Sequence, residues 1–390
     1  MLDWLIVGGG VIGTTVSNYL VNRYGVAAGG VRVLDPHLAP LARWTRMTGA
    51  TGMRYLRSPH VHHIDVEPLS LREFGESPAG AVHAGYIRPY DRPSYALFQE
   101  HAVRVIEKRE LAALRLQGTA EFIMSTRGGY VVQTDNGQLR AKRVVLAIGR
   151  TALYAPPWAQ ALQDAGADVR HVFTQDAPIA ADPATHTVVV GGGITGGQVA
   201  LGLAEGAPGA VTLLTRHPLQ QADFDSSPCW LGPRCKGVFL GAASYEQRRR
   251  LLGKARNRGT MAQDVFKAVG DAVRDGRLRH FQGDVVFARG CADGRVVLKT
   301  DEAMLQANRV VLATGFAGAR PGGAWLDEVI EWFDLPVAPC GYPVVDSGLQ
   351  WRRGLHVAGP LAELELGPPA GNIVGGRLAA ERLAPVTEAK

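Results

Sequence analysis

The sequence predicts an α/β fold made of two Rossmann-like three-layer units, each with an antiparallel β-meander. Three observations predict it. A short apolar run ending in G-x-G-x-x-G occurs twice, as Leu5–Gly13 and Val188–Gly196. After each, a stretch suited to a helix leads into a second apolar run, Val31–Leu34 and Val211–Leu214. Each half then closes on alternating residues and an apolar strand ending in Ala-x-Gly, at Ala147–Gly149 and Ala313–Gly315. Strand, glycine turn, helix, strand is the opening of a Rossmann unit. Its repetition is a more specific signal than either motif alone.

Element by element, the first half reads as a strand to Val7, a helix over Thr14–Tyr24 and a strand over Val31–Leu34. Tyr130–Gly137 alternates and ends in turn residues, and Lys142–Gly149 is a buried parallel strand. The second half repeats this with a helix over Gly197–Glu205, alternation over Arg295–Thr300 and a closing strand over Asn308–Gly315. The domain boundaries expected are 1–152 and 308–390 for a discontinuous first domain, with 153–307 inserted as the second. A basic insert is expected at about 218–260.

Composition supports a globular chain. Glycine is 48 of 390 residues, about 12% against a usual ~7%, and it is clustered without a collagen period. The net charge of +6 is local. Arg234–His280 holds 12 Arg/Lys against 4 Asp/Glu, a surplus of 8 that leaves the remainder at −2. No zinc-finger spacing, RNP motif or basic tail points to nucleic acid. Four cysteines without a C-x-x-C suggest reduced thiols in the cytoplasm, with Cys229 and Cys235 as packing residues. The N-terminus lacks a basic n-region, and no apolar stretch suits a membrane span. His60, His62, His63 and Asp65 lack ligand spacing, so no metal is expected.

A glycine turn lets backbone approach a pyrophosphate, and the following helix offers free N–H groups and the positive end of its dipole. Asp35 follows Gly13 by 22 residues, where a carboxylate accepts ribose hydroxyls and repels a 2′-phosphate. The second unit has no carboxylate there. Instead Arg216 follows Gly196 by 20 residues, where a guanidinium suits a 2′-phosphate. FAD at the first turn and NADPH at the second are the expectation.

The order of Gly8, Gly10, Gly13, Asp35, Ala147-x-Gly149, Gly191, Gly193, Gly196 and Ala313–Gly315 resembles the two-dinucleotide-binding-domain flavoproteins. Within them it is similar to the N-hydroxylating monooxygenases acting on lysine or ornithine. Trp44 falls on a family tryptophan, and Trp44–Pro59 has the position and character of the flavin-contact loop. Phe224–Pro228, the helix Tyr245–Leu252 and Leu312–Phe316 also resemble family segments. Gly354–Pro360 resembles the strand of the flavin ribityl contact, with Pro360 where the family carries an acidic residue. Gly367–Asn372 opens a helix over Ile373–Leu383 whose N-terminus would face the isoalloxazine. The resemblance implies a cofactor-binding set of Gly8, Gly10, Gly13, Asp35, Pro36, His37, Trp44, Met53, Ala120, Gly149, Gly191, Gly193, Thr195, Gly196, Arg216, His217, Gly315, Gly359, Pro360, Gly367, Pro368 and Asn372. Arg54, Met53 and Asn372 are the candidate catalytic residues, with Arg54 stabilising the reduced flavin anion.

The activity implied is a cytoplasmic FAD-dependent, NADPH-reduced monooxygenase. It would form a flavin C4a-hydroperoxide and use O2 to oxygenate a small nucleophile such as an amine. The departures lie on the substrate side. Arg54 stands where the family tends to carry glutamine, Cys229–Gly232 replaces an Asn-Glu pair, and Arg258–Thr260 replaces the T-N-Y triplet. No lysine lies between Met1 and Glu107 to bind a substrate carboxylate, a part open to Arg54, Arg57 or His60. Two other readings stay open: a flavin reductase passing electrons to an acidic carrier protein docked on Arg234–His280, and a flavin-binding module with little turnover. Neither a nucleic-acid nor a membrane partner is expected, and a homo-oligomer is left open.

Overall fold

The structure, a computed structural model, describes every residue except Ala84, Ala389 and Lys390. The first unit opens with β1 (Leu2–Val7), the glycine turn and α1 (Val11–Asn18), which runs on as a π-helical turn to Arg23. β2 (Val31–Asp35), α2 (Ala42–Ala50), α3 (Tyr95–Lys108) and β3 (Arg115–Gln117) follow. α2 is a difference from the sequence reading, which placed a loop from Trp44 onward. Its Trp44 packs on Tyr95 and Phe98 of α3, and that apolar contact stabilises a helix with weak local signals.

The meander comprises β4 (Ala120–Thr126), β5 (Gly129–Thr134) and β6 (Gly137–Leu146). β6 serves two neighbours. Its first half runs antiparallel to β5, and from Ala141 onward it runs parallel to β1, pairing Val144 with Leu5 and Leu146 with Val7.

The second unit contains α4 (Pro157–Asp164), β7 (Val169–His171), β8 (Thr187–Val190), α5 (Ile194–Gly206) and β9 (Val211–Thr215). An excursion follows, carrying α6 (Pro233–Leu240) and α7 (Tyr245–Ala255). Its two ends, Gln220–Gln221 and Thr260–Met261, pair as short parallel strands. Then come α8 (Gln263–Arg274), β10 (Arg279–Gln282), a meander β11 (Val285–Gly290), β12 (Val296–Thr300), β13 (Met304–Ala307), and β14 (Arg309–Leu312). The sheet runs β10-β9-β8-β14-β7, and every pairing in it is parallel.

Alternation along these strands builds the three layers. Val189, Leu213 and Val311 face α5 and α8 with Leu203 and Val269, while Val188, Leu214 and Val310 face α4 and the meander with Leu162 and Leu298. Adjacent strand residues point to opposite faces, so continuous apolar runs mark a sheet covered on both sides.

The chain then returns to the first unit. β15 (Gln350–Arg352) and β16 (Leu355–Val357) extend its sheet to the order β15-β16-β6-β1-β2-β3, and α9 (Ile373–Glu388) packs on α1. The expected boundary at residue 308 needs correction, because β14 pairs with β8 and belongs to the inserted sheet. The two chain crossings instead lie side by side, with Leu153 bridged to Phe316, Tyr154 N–H donating to Gly315 O and Ala317 N–H to Ala152 O. Among the described residues, no helix is long and apolar enough to cross a membrane.

Candidate active site

The two glycine turns have the same construction. At Gly8 (φ +107°) an added Cβ would lie 2.6 Å from Ala147 O, and at Gly13 it would lie 1.8 Å from Gly8 O. The second turn repeats both clashes, Gly191 (φ +145°) against Ala313 O at 2.5 Å and Gly196 against Gly191 O at 2.0 Å. The middle glycines differ in kind. A Cβ on Gly10 would meet nothing within 4 Å, and one on Gly193 only the Gly259 backbone at 3.7 Å. The outer glycines therefore serve the fold, and the middle ones leave open space at a helix N-terminus. Neither α1 nor α5 has a side-chain cap or an acidic residue in its first turn, so their leading N–H groups are free for an anion.

Asp35 ends β2 directly beneath the first turn. Its carboxylate accepts N–H bonds from Gly9 at 2.6 Å and His37 at 2.8 Å. Arg115, absent from the sequence-based set, is the partner that reasoning missed. It lies 3.4 Å from Asp35, donates to His37 O at 2.6 Å and fills the place a Gly9 side chain would occupy. Its Nη1 is buried without a partner, and burial lowers the pKa of the guanidinium. Pro36 O accepts from Gln117, and Ala120 lies buried just past β3, so this whole edge surrounds the Asp35 end. Arg43, on α2, lies 3.9 Å from where a Cβ added to Gly149 would sit and donates to Arg150 O.

The second turn opens on a cleft of about 860 Å³ lined by Gly191, Gly193, Thr195, Arg216, His217, Arg258 and Gly315. Arg216 and His217 are exposed just beyond β9, and Arg216 has no ion-pair partner among the described residues. Gly315 (φ +75°) is thus placed on this cleft and not on the first turn.

A second cavity, of about 280 Å³, lies between the units. Trp44, Met53, Arg57 and His62 form one wall, Pro369–Val374 with Asn372 another, and Phe224–Leu231 of the excursion the third. Asn372 sits where the chain enters α9. Gly359 (φ +65°) packs against Ile12 of α1, and Gly367 (φ +81°) against Trp230, so Pro360 and Pro368 shape the approach rather than line the chamber. Arg57 and Asp225 line both cavities and mark their junction. Arg57 donates to the carbonyls of Ala222 and Phe224 at 2.7 and 2.8 Å and to Thr260 Oγ1 at 2.7 Å.

Three expectations are corrected. Arg54 does not reach the chamber: its side chain is 73% exposed and pairs with Glu205 of α5, one residue pair across the unit boundary. The cation on the chamber wall is Arg57, three residues on. Cys229 and Cys235 are joined by a disulfide, because the turn at Gly232 folds the two ends of a six-residue separation together. Cys291 and Cys340 are free. The basic surplus is also not a free face. Arg248 pairs with Glu365, and Arg249 and Arg256 converge with Arg150 on Glu363, which is 1% exposed. Those arginines point inward to the first unit, which removes much of the docking surface an acidic carrier would need. His63 and Asp65 are likewise engaged, with Pro68 O and Arg109.

Residues 5–151 match a family model described as FAD-NAD(P)-binding. No curated protein matches by sequence. Among solved structures, the chain is similar to the FAD-bound cadaverine monooxygenase of the desferrioxamine biosynthetic pathway from Erwinia amylovora. The TM-score is 0.73 at 15% identity, covering 100% of this chain and 94% of the other. It is also similar to L-lysine 6-monooxygenase from Pseudomonas syringae, with TM-score 0.73, 17% identity and coverage of 100% and 99%. Ornithine hydroxylase from Pseudomonas aeruginosa gives TM-score 0.74, 16% identity and coverage of 99% and 98%. From end to end, the chain has the fold of two-dinucleotide-binding-domain flavin monooxygenases.

Proposed function

We propose that the protein is an FAD-dependent monooxygenase, reduced by NADPH, that oxygenates a small nucleophilic molecule such as an amine. The observation that carries this reading is the junction at Arg57 and Asp225, where a cleft behind one dinucleotide turn meets a largely apolar chamber. The solved structures of like fold act on cadaverine, lysine and ornithine, which supports the same reaction class.

Gly10 with the α1 N-terminus, in the turn that Gly8 and Gly13 shape, would hold the FAD pyrophosphate, Asp35 its ribose, and Trp44, Met53 and Asn372 the flavin end. Gly193 and Thr195 at the α5 N-terminus, in the turn that Gly191 and Gly196 shape, would hold the NADPH pyrophosphate, with Arg216 and His217 at its 2′-phosphate. Bound FAD supplies electron transfer from NADPH and the activation of O2. The reaction balances as substrate, O2, NADPH and a proton giving oxygenated substrate, water and NADP+.

The chain's own tasks are positional. The apolar walls exclude water from the reacting centre, and Arg57 places a fixed positive charge beside it. The Arg216 reading has its own check. Arg216→Ala should raise the KM for NADPH about tenfold or more and leave NADH unchanged, since a phosphate contact alone is lost.

The experiment is to reduce the FAD-loaded protein anaerobically with NADPH and mix it with O2. Reoxidation slower than that of free reduced flavin, with oxygen transferred to an added nucleophile, supports the monooxygenase. Immediate single-phase reoxidation with stoichiometric H2O2 release sinks it.

A further inference from the structure

His62 lines the chamber, and the reading above leaves its chemistry unused. It is 8% exposed, its Nε2 is buried without a partner, and its ring makes no hydrogen bond among the described residues. His63 and His101 each keep a ring partner, and His60, whose Nδ1 is also buried without a partner, does not line the chamber. His63 Nε2 meets Pro68 O at 3.1 Å, and His101 Nε2 meets Ser70 Oγ at 2.9 Å. A buried polar side chain left unpaired beside a cavity is open to a water or a ligand that enters the cavity.

The charges around it restrict what enters. Burial, with the positive charge of Arg377 and the adjacent His63 and His60, pushes His62 down to about 4. The ring is therefore neutral at pH 7, with one N–H donor and one bare nitrogen acceptor. Arg57 adds a cation to the same wall, and its Nη1 has no protein partner among the described residues. The carboxylate that could balance a second cation is Asp225, and it is held by Arg256 at 2.9 Å. The remaining walls are mainly Trp44, Met53, Leu56 and Phe224. An aliphatic ammonium, with a pKa of ~10.4 as in lysine, would meet the Arg57 cation and would have to share the one lining carboxylate, Asp225, with Arg256.

We infer that His62 anchors the oxygen-accepting substrate through a hydrogen bond, and that this substrate is an uncharged nucleophile with an apolar body and an N–H donor, of which an arylamine is the simplest. The inference rests on the monooxygenase reading and narrows its substrate. An arylamine is neutral at pH 7, keeps its nitrogen lone pair and gives an N–H to the bare imidazole nitrogen. Oxygenation converts ArNH2, O2, NADPH and H+ into ArNHOH, H2O and NADP+. Two electrons come from NADPH and two from the nitrogen.

The FAD-loaded enzyme should be assayed with aniline, cadaverine, L-lysine and L-ornithine, following NADPH oxidation, H2O2 release and hydroxylamine product. Product from aniline with little from the three aliphatic amines is expected. His62→Leu should raise the aniline KM about tenfold, and His62→Gln should restore most of it. FAD content, thermal midpoint and the rate of reduction by NADPH should stay as in the parent. Efficient hydroxylation of any aliphatic amine overturns the charge argument. A His62→Leu effect on FAD content, flavin spectrum or reduction rate, with KM unmoved, overturns the anchoring role. NADPH oxidation with H2O2 but no product from aniline overturns the substrate class alone, whereas failure to bind FAD or oxidise NADPH overturns the monooxygenase reading itself.

Discussion

Gly10 and Gly13 sit three residues apart in one turn, yet substituting each should have opposite consequences. A Cβ at Gly13 would lie 1.8 Å from the Gly8 carbonyl, a backbone atom that cannot rotate aside. Gly13→Ala should therefore destabilise the apoprotein by about 1–3 kcal/mol. At Gly10 the backbone is extended and a Cβ meets no protein atom, so Gly10→Ala should change apoprotein stability by less than about 0.5 kcal/mol. Its cost should appear in FAD retention, because the methyl would occupy the space left for the pyrophosphate. Urea unfolding of the apoproteins beside FAD titration separates the two. Equal losses of stability for both would mean that Gly10 is a folding glycine. Such residues were legible in the sequence because their contacts are local. Arg115 was not, since it reaches His37 from 78 residues away and no spacing rule connects them.

At the scale of elements, the legible features were those whose partners repeat in sequence. The apolar runs of β8, β9 and β14 read correctly as strands of one Rossmann unit, and in the structure each alternates between two cores. α2 and the excursion were harder. Trp44 is held by rings on α3, and the excursion is organised by cross-unit arginines and a disulfide rather than by periodicity. That disulfide makes an element-scale prediction. It closes a short loop whose wall, Ser226–Leu231, lines the chamber. The chain-entropy model gives about 2 kcal/mol for a loop this short, and the effect should remain local. Reduction, or paired Cys229→Ser and Cys235→Ser changes, should speed proteolysis within the excursion and hydrogen exchange over Ser227–Leu240. The global unfolding midpoint should hardly move. A large drop in that midpoint would place the disulfide in the global folding unit instead.

For the whole molecule, charge placement sets both pH behaviour and the fit of the two units. Burial pushes His62 and His356 down to about 4 and His101 to about 3, against an unfolded value of 6.5. Between pH 6.5 and about 4 the unfolded chain binds protons that the folded chain refuses. Stability should then fall by a few kcal/mol as pH drops through that window, and be flat above it. Urea midpoints at pH 7.5, 6 and 5 measure this, and His356→Phe, if folded, should flatten the slope. The unit interface depends on Glu363. Its buried carboxylate meets Arg150 from the first chain crossing and Arg249 and Arg256 from the excursion, so one acidic residue joins three segments. Removing it would leave three guanidinium groups facing one another with Asp225 as the remaining counter-charge near Arg256. Breaking a buried network from one side costs about 3–5 kcal/mol, more than the pairing itself is worth. Glu363→Gln keeps the shape and some hydrogen bonds, so its cost should be smaller than that of Glu363→Ala. Both should loosen the excursion from the first unit before they unfold either sheet. Hydrogen exchange should therefore rise first in α7 and the Phe224–Leu231 wall, with β1 and β8 still protected. Turnover should fall through a higher substrate KM, because that wall closes the chamber. Uniform loss of protection across both sheets would show that Glu363 supports global folding and not the seating of one unit on the other.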